Sequence, residues 1–325
     1  MNTSTLVRYL LSIGAAVLLA GCGGSQPPIG APGAMPQTTA IATHADRGKS
    51  WMAAGYGKKD LLYISAQDGS AVYVLTYPKG KRVGTLTGLY RTQGLCSDTH
   101  GNVWVTTYGP TYATGTIVEY AHGGTTPIAT LHDDYGPPDA CAVDANTGDL
   151  AVANPCDDYS CHANVVVYPG GSGTPTRLST LVWGTYDITY DNSDNLFVAG
   201  FERYYDHRLA WLPNGSSYFV DFNLKPRNLA ARGVAWDGAY LLIGQGTYFH
   251  QFKLEDGYGV RIGMVTPYIN ERSYLVLGNR LITVGGSGGN EVLIYDYPAG
   301  TSPIKTISLP IGNTLGITVS VTPSR

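Results

Sequence analysis

A segment recurs along this chain every 46 or 47 residues, and this period limits the folds that the chain can adopt. A short apolar run ends in Asp four times, in Gly94-Leu-Cys-Ser-Asp98, Ala140-Cys-Ala-Val-Asp144, Asp187-Ile-Thr-Tyr-Asp191 and Gly233-Val-Ala-Trp-Asp237. After each copy comes a turn-rich gap and a second apolar run, such as Val103-Trp-Val-Thr106. A fixed period of this length indicates an array of similar units rather than one large core.

Two further apolar runs complete each unit. The third ends in a Gly-centred turn, as in Tyr77-Pro-Lys-Gly80 and Tyr297-Pro-Ala-Gly300, and Ile128-Ala-Thr-Leu131 is an example of the fourth. Short runs of β-branched and aromatic residues between Gly, Pro, Asn and Asp are typical of strands. Four strands in about 45 residues predict a β-propeller blade. Residues 58–325 have room for about six such units, so we expect an all-β, six-bladed β-propeller.

The two ends of the repeat indicate how the ring closes. The first unit begins at Leu61 and lacks a strand before it. The last segment, Leu315 to Thr322, is a lone strand that resembles the first strand of the other units. We therefore expect this C-terminal strand to join blade one, since closing the ring protects strand edges.

The units resemble NHL-type repeats. The pattern G-I-A-V-D…G-N-V-Y-V of that family matches Gly94-Leu-Cys-Ser-Asp98 followed by Gly101-Asn-Val-Trp-Val105. The resemblance covers nearly the whole body and implies an NHL-like propeller of the kind found in bacterial lipoproteins. Blades five and six depart from it, because Asp237 is followed directly by Gly238-Ala-Tyr240 and Asn279 stands where the repeat has Asp.

The N-terminal residues are typical of an export signal. Arg8 precedes an apolar run from Tyr9 to Leu19, which is too short to span a membrane. The sequence Leu19-Ala-Gly-Cys22 resembles the lipobox of bacterial lipoprotein signal peptides, which implies cleavage before Cys22 and a lipid on Cys22. An ordinary secretory signal with an incidental Cys22 is the alternative.

The chain therefore divides into three predicted parts. Residues 1–21 are the lipoprotein signal peptide, 22–57 a lipid-anchored tether and 58–325 the propeller. Gly, Pro, Ser, Thr and Ala dominate residues 23 to about 50, as in flexible linkers. We expect Trp51-Met52 to contact the body, at a position that the sequence leaves open. We expect an exported protein anchored in the bacterial cell envelope, facing the periplasm or the surface, with the membrane as one partner.

The charge balance excludes one class of partner. The chain has 21 Lys and Arg against 24 Asp and Glu, for a formal charge of −3. Nucleic-acid binding by phosphate neutralisation needs a basic excess that this chain lacks. We expect no nucleic-acid partner and a monomer.

Four cysteines remain when Cys22 is set aside. Cys156 and Cys161 lie in one loop, and in an oxidising compartment we expect them to form a disulfide. Cys96 and Cys141 occupy equivalent positions in the first strands of neighbouring blades. They either bridge these blades or remain as two buried thiols, because Cα atoms more than about 7 Å apart cannot be joined.

Catalytic motifs are mostly missing from the sequence. Gly285-Gly-Ser-Gly-Gly289 matches G-x-S-x-G but is followed by neither a helix pattern nor a histidine. The Asp-rich segments after Asp144 and Asp191 lack the spacing of calcium loops and suit hairpin turns instead. The seven histidines fall at differing repeat positions, so the sequence predicts no metal site, no catalytic residue and no cofactor.

The strongest functional signal is a set of aromatic and charged residues in loops that a propeller gathers on one rim. Candidate binding residues in the connections between blades are Tyr90, Arg91, Asp134, Tyr135, Trp183, Tyr186, Arg227, Arg232 and Arg272. Tyr, Trp and Arg are enriched in interface hot spots. We therefore favour a non-enzymatic protein that binds a protein, a peptide or a glycan through this rim.

An enzyme is the alternative interpretation. Some six-bladed propellers are lyases or lactonases with a divalent metal at the channel mouth. This comparison rests on a shared fold and not on shared site residues. Its candidate ligands or acid–base groups would be the rim acids Asp133, Asp134, Asp187 and Glu271.

Overall fold

The repeated apolar runs form strands, and the strands assemble into six sheets. The computed structural model describes residues 48–66, 70–155, 163–202, 206–226, 230–245, 248–265, 273–285, 289–309 and 314–322. The described residues contain 26 strands and a 3-10 helix at Pro169–Gly171, and none of their helices is long and apolar enough to cross a membrane. All of these described residues belong to one compact unit.

The strands of the first three blades follow the four-run pattern of the sequence. In chain order they are β1 (Trp51–Met52), β2 (Leu61–Ala66), β3 (Ala71–Thr76), β4 (Arg82–Leu86), β5 (Thr92–Ser97), β6 (Val103–Tyr108), β7 (Gly115–Tyr120), β8 (Pro127–Asp133), β9 (Ala140–Val143), β10 (Leu150–Asn154), β11 (Asn164–Tyr168) and β12 (Thr176–Ser179).

The last three blades and the closing strand complete the ring. Their strands are β13 (Gly184–Tyr190), β14 (Leu196–Phe201), β15 (His207–Leu212), β16 (Val220–Asp221), β17 (Asn223–Lys225), β18 (Gly233–Trp236), β19 (Leu241–Gln245), β20 (Tyr248–Glu255), β21 (Tyr258–Val265), β22 (Ser273–Leu277), β23 (Arg280–Gly285), β24 (Glu291–Asp296), β25 (Pro303–Ser308) and β26 (Thr314–Ser320).

The C-terminal strand closes the ring as the sequence predicted. Strand β26 pairs antiparallel with β2, from Leu61 opposite Ser320 to Ala66 opposite Thr314, so blade one takes its innermost strand from the end of the chain. The amide of Gly316 also donates to Ser65 Oγ at 2.8 Å. The chain is thus an all-β, six-bladed propeller.

Two blades carry a fifth strand that the sequence did not predict. Trp51–Met52 pairs with β4 on the outer edge of blade one, on the tether side of the boundary predicted at residue 58. In blade five, Asn223–Lys225 runs parallel to β21 on the outer edge. Both additions cover the outer edge of a sheet, where backbone groups would otherwise be unpaired.

The hydrophobic core is divided among the seams between blades. Six clusters of buried apolar side chains are present among the described residues, and each joins two neighbouring blades. Leu61 packs toward blade two, whereas the next residue, Leu62, packs toward blade six. Side chains alternate between the two faces of a strand, so the single strand β2 contributes to the seams on both sides of blade one.

The repeated Asp closes a hairpin turn in each blade that carries it. Its Oδ1 accepts the N–H groups of nearby residues in the turn, which is the behaviour of an Asx turn. The bonds, of 2.7–3.3 Å, run from His100 and Asn102 to Asp98, from Asn146 and Thr147 to Asp144, from Ser193 and Asn195 to Asp191, and from Ala239 and Tyr240 to Asp237. Turn geometry therefore accounts for the Asp that carries the NHL-like pattern.

One disulfide in the described chain joins two blades. Cys96 in β5 and Cys141 in β9 are bonded, with their Cα atoms 5.6 Å apart. Of the two arrangements that the sequence allowed for this pair, the bridge between blades is the one that forms. The predicted pair of Cys156 and Cys161 lies outside the described residues, as does Cys22.

Candidate binding face

One end of the propeller carries the connections between blades. All six innermost strands begin at this end, and successive strands of a blade alternate in direction. The loops between second and third strands therefore lie at the same end. We call this end the binding face, and the residues of its loops the rim.

A cavity of about 430 Å³ opens at the centre of the binding face. Its wall consists of the first residues of the innermost strands and the residues just before them. They are Gln93, Gly94, Leu95, Asp139, Ala140, Cys141, Thr185, Tyr186, Asp187, Arg232, Ser273 and Leu315. Below it the channel continues between the innermost strands as a second space of about 480 Å³.

Asp139 is one of two carboxyl groups in the cavity wall. Tyr108 donates its hydroxyl to Asp139 Oδ1 at 2.9 Å. The backbone of Asp139 is fixed as well, since its carbonyl oxygen accepts the amide of Gly94 at 2.7 Å. A Cβ on Gly94 would lie 2.5 Å from that oxygen, so this seam requires glycine. Burial raises the pKa of Asp139 to about 6, although the bond from Tyr108 acts to lower it.

Asp187 is the second carboxyl group in the wall. It accepts the backbone N–H of Ile188 at 2.9 Å and, over a longer 3.4 Å, that of Val234 in the next blade. Burial raises the pKa of Asp187 to about 7, and the charge of Asp139 acts in the same direction, while the two backbone bonds oppose it. Carboxyl groups whose pKa is raised by burial in a cavity are a common mark of a functional site.

Arg91 organises the rim beside Asp139. Its guanidinium carbon lies 4.6 Å from the ring centre of Tyr112 and 5.7 Å from that of Tyr108, and the guanidinium donates to the Tyr112 hydroxyl. The two tyrosine rings meet edge to face at 5.6 Å. Since Tyr108 also bonds to Asp139, this group links the rim to the cavity.

A second aromatic group lies on blade four. Phe201 contacts Trp183 at 5.5 Å and Tyr186 at 5.2 Å between ring centres, and the Tyr186 ring lies 5.6 Å from that of His207. Burial lowers the pKa of His207, and the nearby charge of Arg232 lowers it further. The part of Tyr186 in the cavity wall therefore belongs to a packed aromatic group rather than to an isolated side chain.

The loop after β8 is held by a buried acid. Asp133 accepts the backbone N–H of Tyr135 and the side-chain amide of Asn154, both at 2.9 Å. Burial raises the pKa of Asp133. Neither Asp133 nor Asp134 lines the cavity; Asp133 shapes the loop that presents Asp134 and Tyr135 to solvent.

The predicted site residues occupy two positions on the binding face. Tyr186 and Arg232 lie in the cavity wall, whereas Tyr90, Arg91, Asp134, Tyr135 and Trp183 lie in the connections around it. The exposed tyrosines of the rim include Tyr90, Tyr112 and Tyr135, at 52%, 48% and 45% exposure. Arg227, Arg272 and the rim acid Glu271 lie outside the described residues.

Asp139 and Gln93 were not among the site residues predicted from the sequence. Both stand immediately before the aligned first-strand segments, in the position that Tyr186 and Arg232 occupy in blades four and five. All four residues line the cavity. The residue immediately before each aligned first-strand segment was therefore the signal that could have identified Asp139 and Gln93.

Comparisons with known proteins bear on the fold alone. No model of a known family matches this chain, and no curated protein matches it. A chain of the nidogen/laminin complex is similar in structure, with a TM-score of 0.65 and 14% identity over 82% of this chain and 100% of that one.

Two further solved structures share the architecture. A functionally unknown protein from Desulfotomaculum acetoxidans DSM 771 has a TM-score of 0.55 and 10% identity, over 80% of this chain and 99% of that one. Hydrazine synthase of Kuenenia stuttgartiensis has a TM-score of 0.54 and 12% identity, over 74% and 81%. Proteins of such different names show that the propeller is a general scaffold, so function must be argued from the site.

Proposed function

We propose that this chain is a lipid-anchored binding protein of the bacterial cell envelope that holds a protein partner on its rim. The observation that carries the proposal is the exposure of Tyr90, Tyr112 and Tyr135 around one mouth of the propeller, beside Arg91. Exposed Tyr together with Arg is the composition of interface hot spots. Peptides and glycans are the other ligands that such a rim would accept.

The rim is prepared for binding by its internal contacts. Arg91 is held between two tyrosine rings, so little side-chain entropy remains to be lost when a partner binds it. Arg donates to carboxylates in pairs of parallel bonds, which favours an acidic residue on the partner opposite Arg91. The low net charge of the chain leaves such local contacts to determine specificity.

Capture from a cell-envelope extract tests the rim. Immobilised protein carrying Tyr90→Ser or Arg91→Ala should lose the captured partner by at least tenfold relative to the parent. Tyr218→Ser is the matched control, because Tyr218 is exposed in the turn between β15 and β16 at the opposite end. Equal capture by the rim variants and the parent would count against the rim, and selective binding to a glycan array would replace the protein partner with a glycan.

The anchor is tested separately. Cys22→Ser should move the protein from the detergent phase to the aqueous phase on phase separation and abolish incorporation of labelled palmitate. Labelling that persists in Cys22→Ser would rule out this anchor.

The enzymatic alternative lacks a described group of ligands. No set of three or more His, Cys, Asp or Glu side chains is placed to hold a metal ion among the residues that the structure describes. Of the acids that this alternative names, Asp187 lies in the cavity wall, Asp133 and Asp134 lie in the loop after β8, and Glu271 lies outside the described residues.

A further inference from the structure

The central cavity has the dimensions of a small-molecule site that is separate from the rim. Its volume of about 430 Å³ lies in the range of roughly 300–1,000 Å³ that is usual for ligand pockets. Four blades contribute to its wall a residue at or just before the start of the innermost strand: Gln93, Asp139, Tyr186 and Arg232. Residues on rigid strand ends hold a ligand more precisely than residues on long loops do.

The charges in the wall are not compensated within the described chain. Asp139 and Asp187 each accept hydrogen bonds from neutral groups, and neither forms an ion pair with a described residue. Arg232 likewise pairs with no carboxylate among these residues, and it is exposed to solvent. The two carboxyl groups can therefore accept further hydrogen bonds from a cationic ligand, and the guanidinium of Arg232 can pair with an anionic group.

Two further polar side chains of the wall are buried. Thr185 lies in the same wall, is only 5% exposed, and its Oγ1 has no hydrogen-bond partner among the described residues. Gln93, also 5% exposed, uses its side-chain amide to donate to the carbonyl of Arg91 at 3.0 Å. The Thr185 hydroxyl has almost no accessible surface and the Gln93 amide is already engaged, so the charged side chains are left to contact a ligand.

We propose that this cavity binds a small zwitterion, with its ammonium group at Asp139 and Asp187 and its carboxylate at Arg232. An ammonium group supplies donors for both carboxylates, and the guanidinium of Arg232 matches a carboxylate through two parallel bonds. Amino acids and short peptides with free ends have this charge pattern. A neutral sugar or a metal ion would leave Arg232 without a partner.

The proposal does not depend on the partner of the rim. Calorimetric titration of the full chain with the free dipeptides alanyl-alanine, alanyl-glutamine and tyrosyl-alanine provides the direct test. Binding of at least one of them is expected at about millimolar concentration or below. The N-acetyl form and the C-terminal amide of that dipeptide should each bind at least tenfold more weakly, since each lacks one of the two charges.

Single-residue variants test which side chain binds the ammonium group and which binds the carboxylate of the dipeptide. Asp139→Asn and Asp187→Asn should each weaken the free dipeptide about tenfold and reduce the discrimination against its N-acetyl form. Arg232→Gln should reduce the discrimination against the amide instead. Arg177→Gln, an exposed arginine on the outer strand β12, is the matched control and should change neither value.

Three binding results with the parent chain would overturn the zwitterion site, and a fourth result comes from the variants. They are the absence of binding by all three dipeptides at about 10 mM, equal binding of the free and N-acetylated forms, and binding of sucrose or Ca²⁺ in preference to the dipeptides. Thermal unfolding of each variant shows whether it is folded. Loss of dipeptide binding in Tyr90→Ser, with Arg232→Gln unaffected, would place the ligand on the rim and also reject the proposal.

Discussion

Tyr108 donates its hydroxyl to Asp139 across 2.9 Å, and this bond connects an aromatic residue of the rim to a carboxyl group of the central cavity. The two residues belong to neighbouring blades, on β6 and immediately before β9. Burial and the adjacent Asp139 raise the pKa of Tyr108, so the phenol stays protonated and remains the donor.

The replacement Tyr108→Phe should raise the pKa of Asp139 above its value of about 6. The lost bond stabilises the ionised carboxylate, whereas the burial that raises the pKa remains. Carbon-13 NMR of the Asp139 carboxyl group across pH 4 to 9 measures the change. Tyr112→Phe is the control, because Tyr112 contacts Arg91 and Tyr108 rather than Asp139. An unchanged or lower pKa in Tyr108→Phe would contradict the assigned role of this bond.

The replacement Asp187→Asn should stabilise the protein at pH 8 and much less at pH 4. The folded-state pKa of Asp187 is about 7, above its ordinary 3.8, so the folded chain binds the proton more tightly than the unfolded chain does. The contribution of Asp187 to stability is therefore largest at low pH and is lost as the pH rises through 7. Removing the charge should add on the order of 2–4 kcal/mol at pH 8.

Urea unfolding at both pH values measures this difference. Asp256→Asn, in the exposed turn between β20 and β21, is the matched control for the loss of one negative charge. A gain of similar size at pH 4 and pH 8 would show that charge burial is not its cause.

Reducing the bridge between Cys96 and Cys141 should destabilise the ring. The two residues are separated by 45 positions, and in the chain-entropy model the closure of such a loop stabilises the folded state by about 4 kcal/mol. Cys96→Ser/Cys141→Ser should therefore lose about 2–4 kcal/mol of unfolding free energy in calorimetry or urea titration. Reductant should lower the stability of the parent more than that of the double variant, which retains only Cys156 and Cys161 as a predicted pair. If it destabilises both equally, the effect arises elsewhere in the chain.

Removal of β26 should abolish cooperative unfolding. A chain ending at Leu309 lacks the innermost strand of blade one, together with the bond from Gly316 to Ser65. A chain ending at Thr322 retains β26 and serves as the control. Calorimetry should give a sharp transition for the control and none for the shorter chain, and a sharp transition in both would contradict closure by β26.

The fold was predictable because the period is carried by turns. Asp98, Asp144 and Asp191 each accept hydrogen bonds from the backbone of their own hairpin turn. The need for Asp at this turn therefore recurs with the blades, and the sequence shows it as a period. The strands β1 and β17 were not predictable, because two or three residues on an outer edge carry no periodic pattern. Their position depends on which edge lies nearby in the folded ring.

The candidate site was predictable only in part. Tyr186 and Arg232 were predicted as binding residues because aromatic and basic residues in loops are typical of binding sites. Asp139 was not predicted, because a single Asp before a strand is typical of a turn. Only the folded ring shows that this residue lies in the cavity wall. Its raised pKa arises from burial at the channel, which has no counterpart in the local sequence.

The pairing of β2 with β26 also imposes an order of events. Strand β26 follows every other strand of the ring along the chain. During synthesis or export, blade one therefore stays incomplete until all the other blades have emerged. Until then the inner edge of β2 offers unpaired backbone groups that another chain could occupy. The newly made chain is therefore vulnerable to aggregation at this edge until β26 emerges, and a chaperone that covers the inner edge of β2 would protect it.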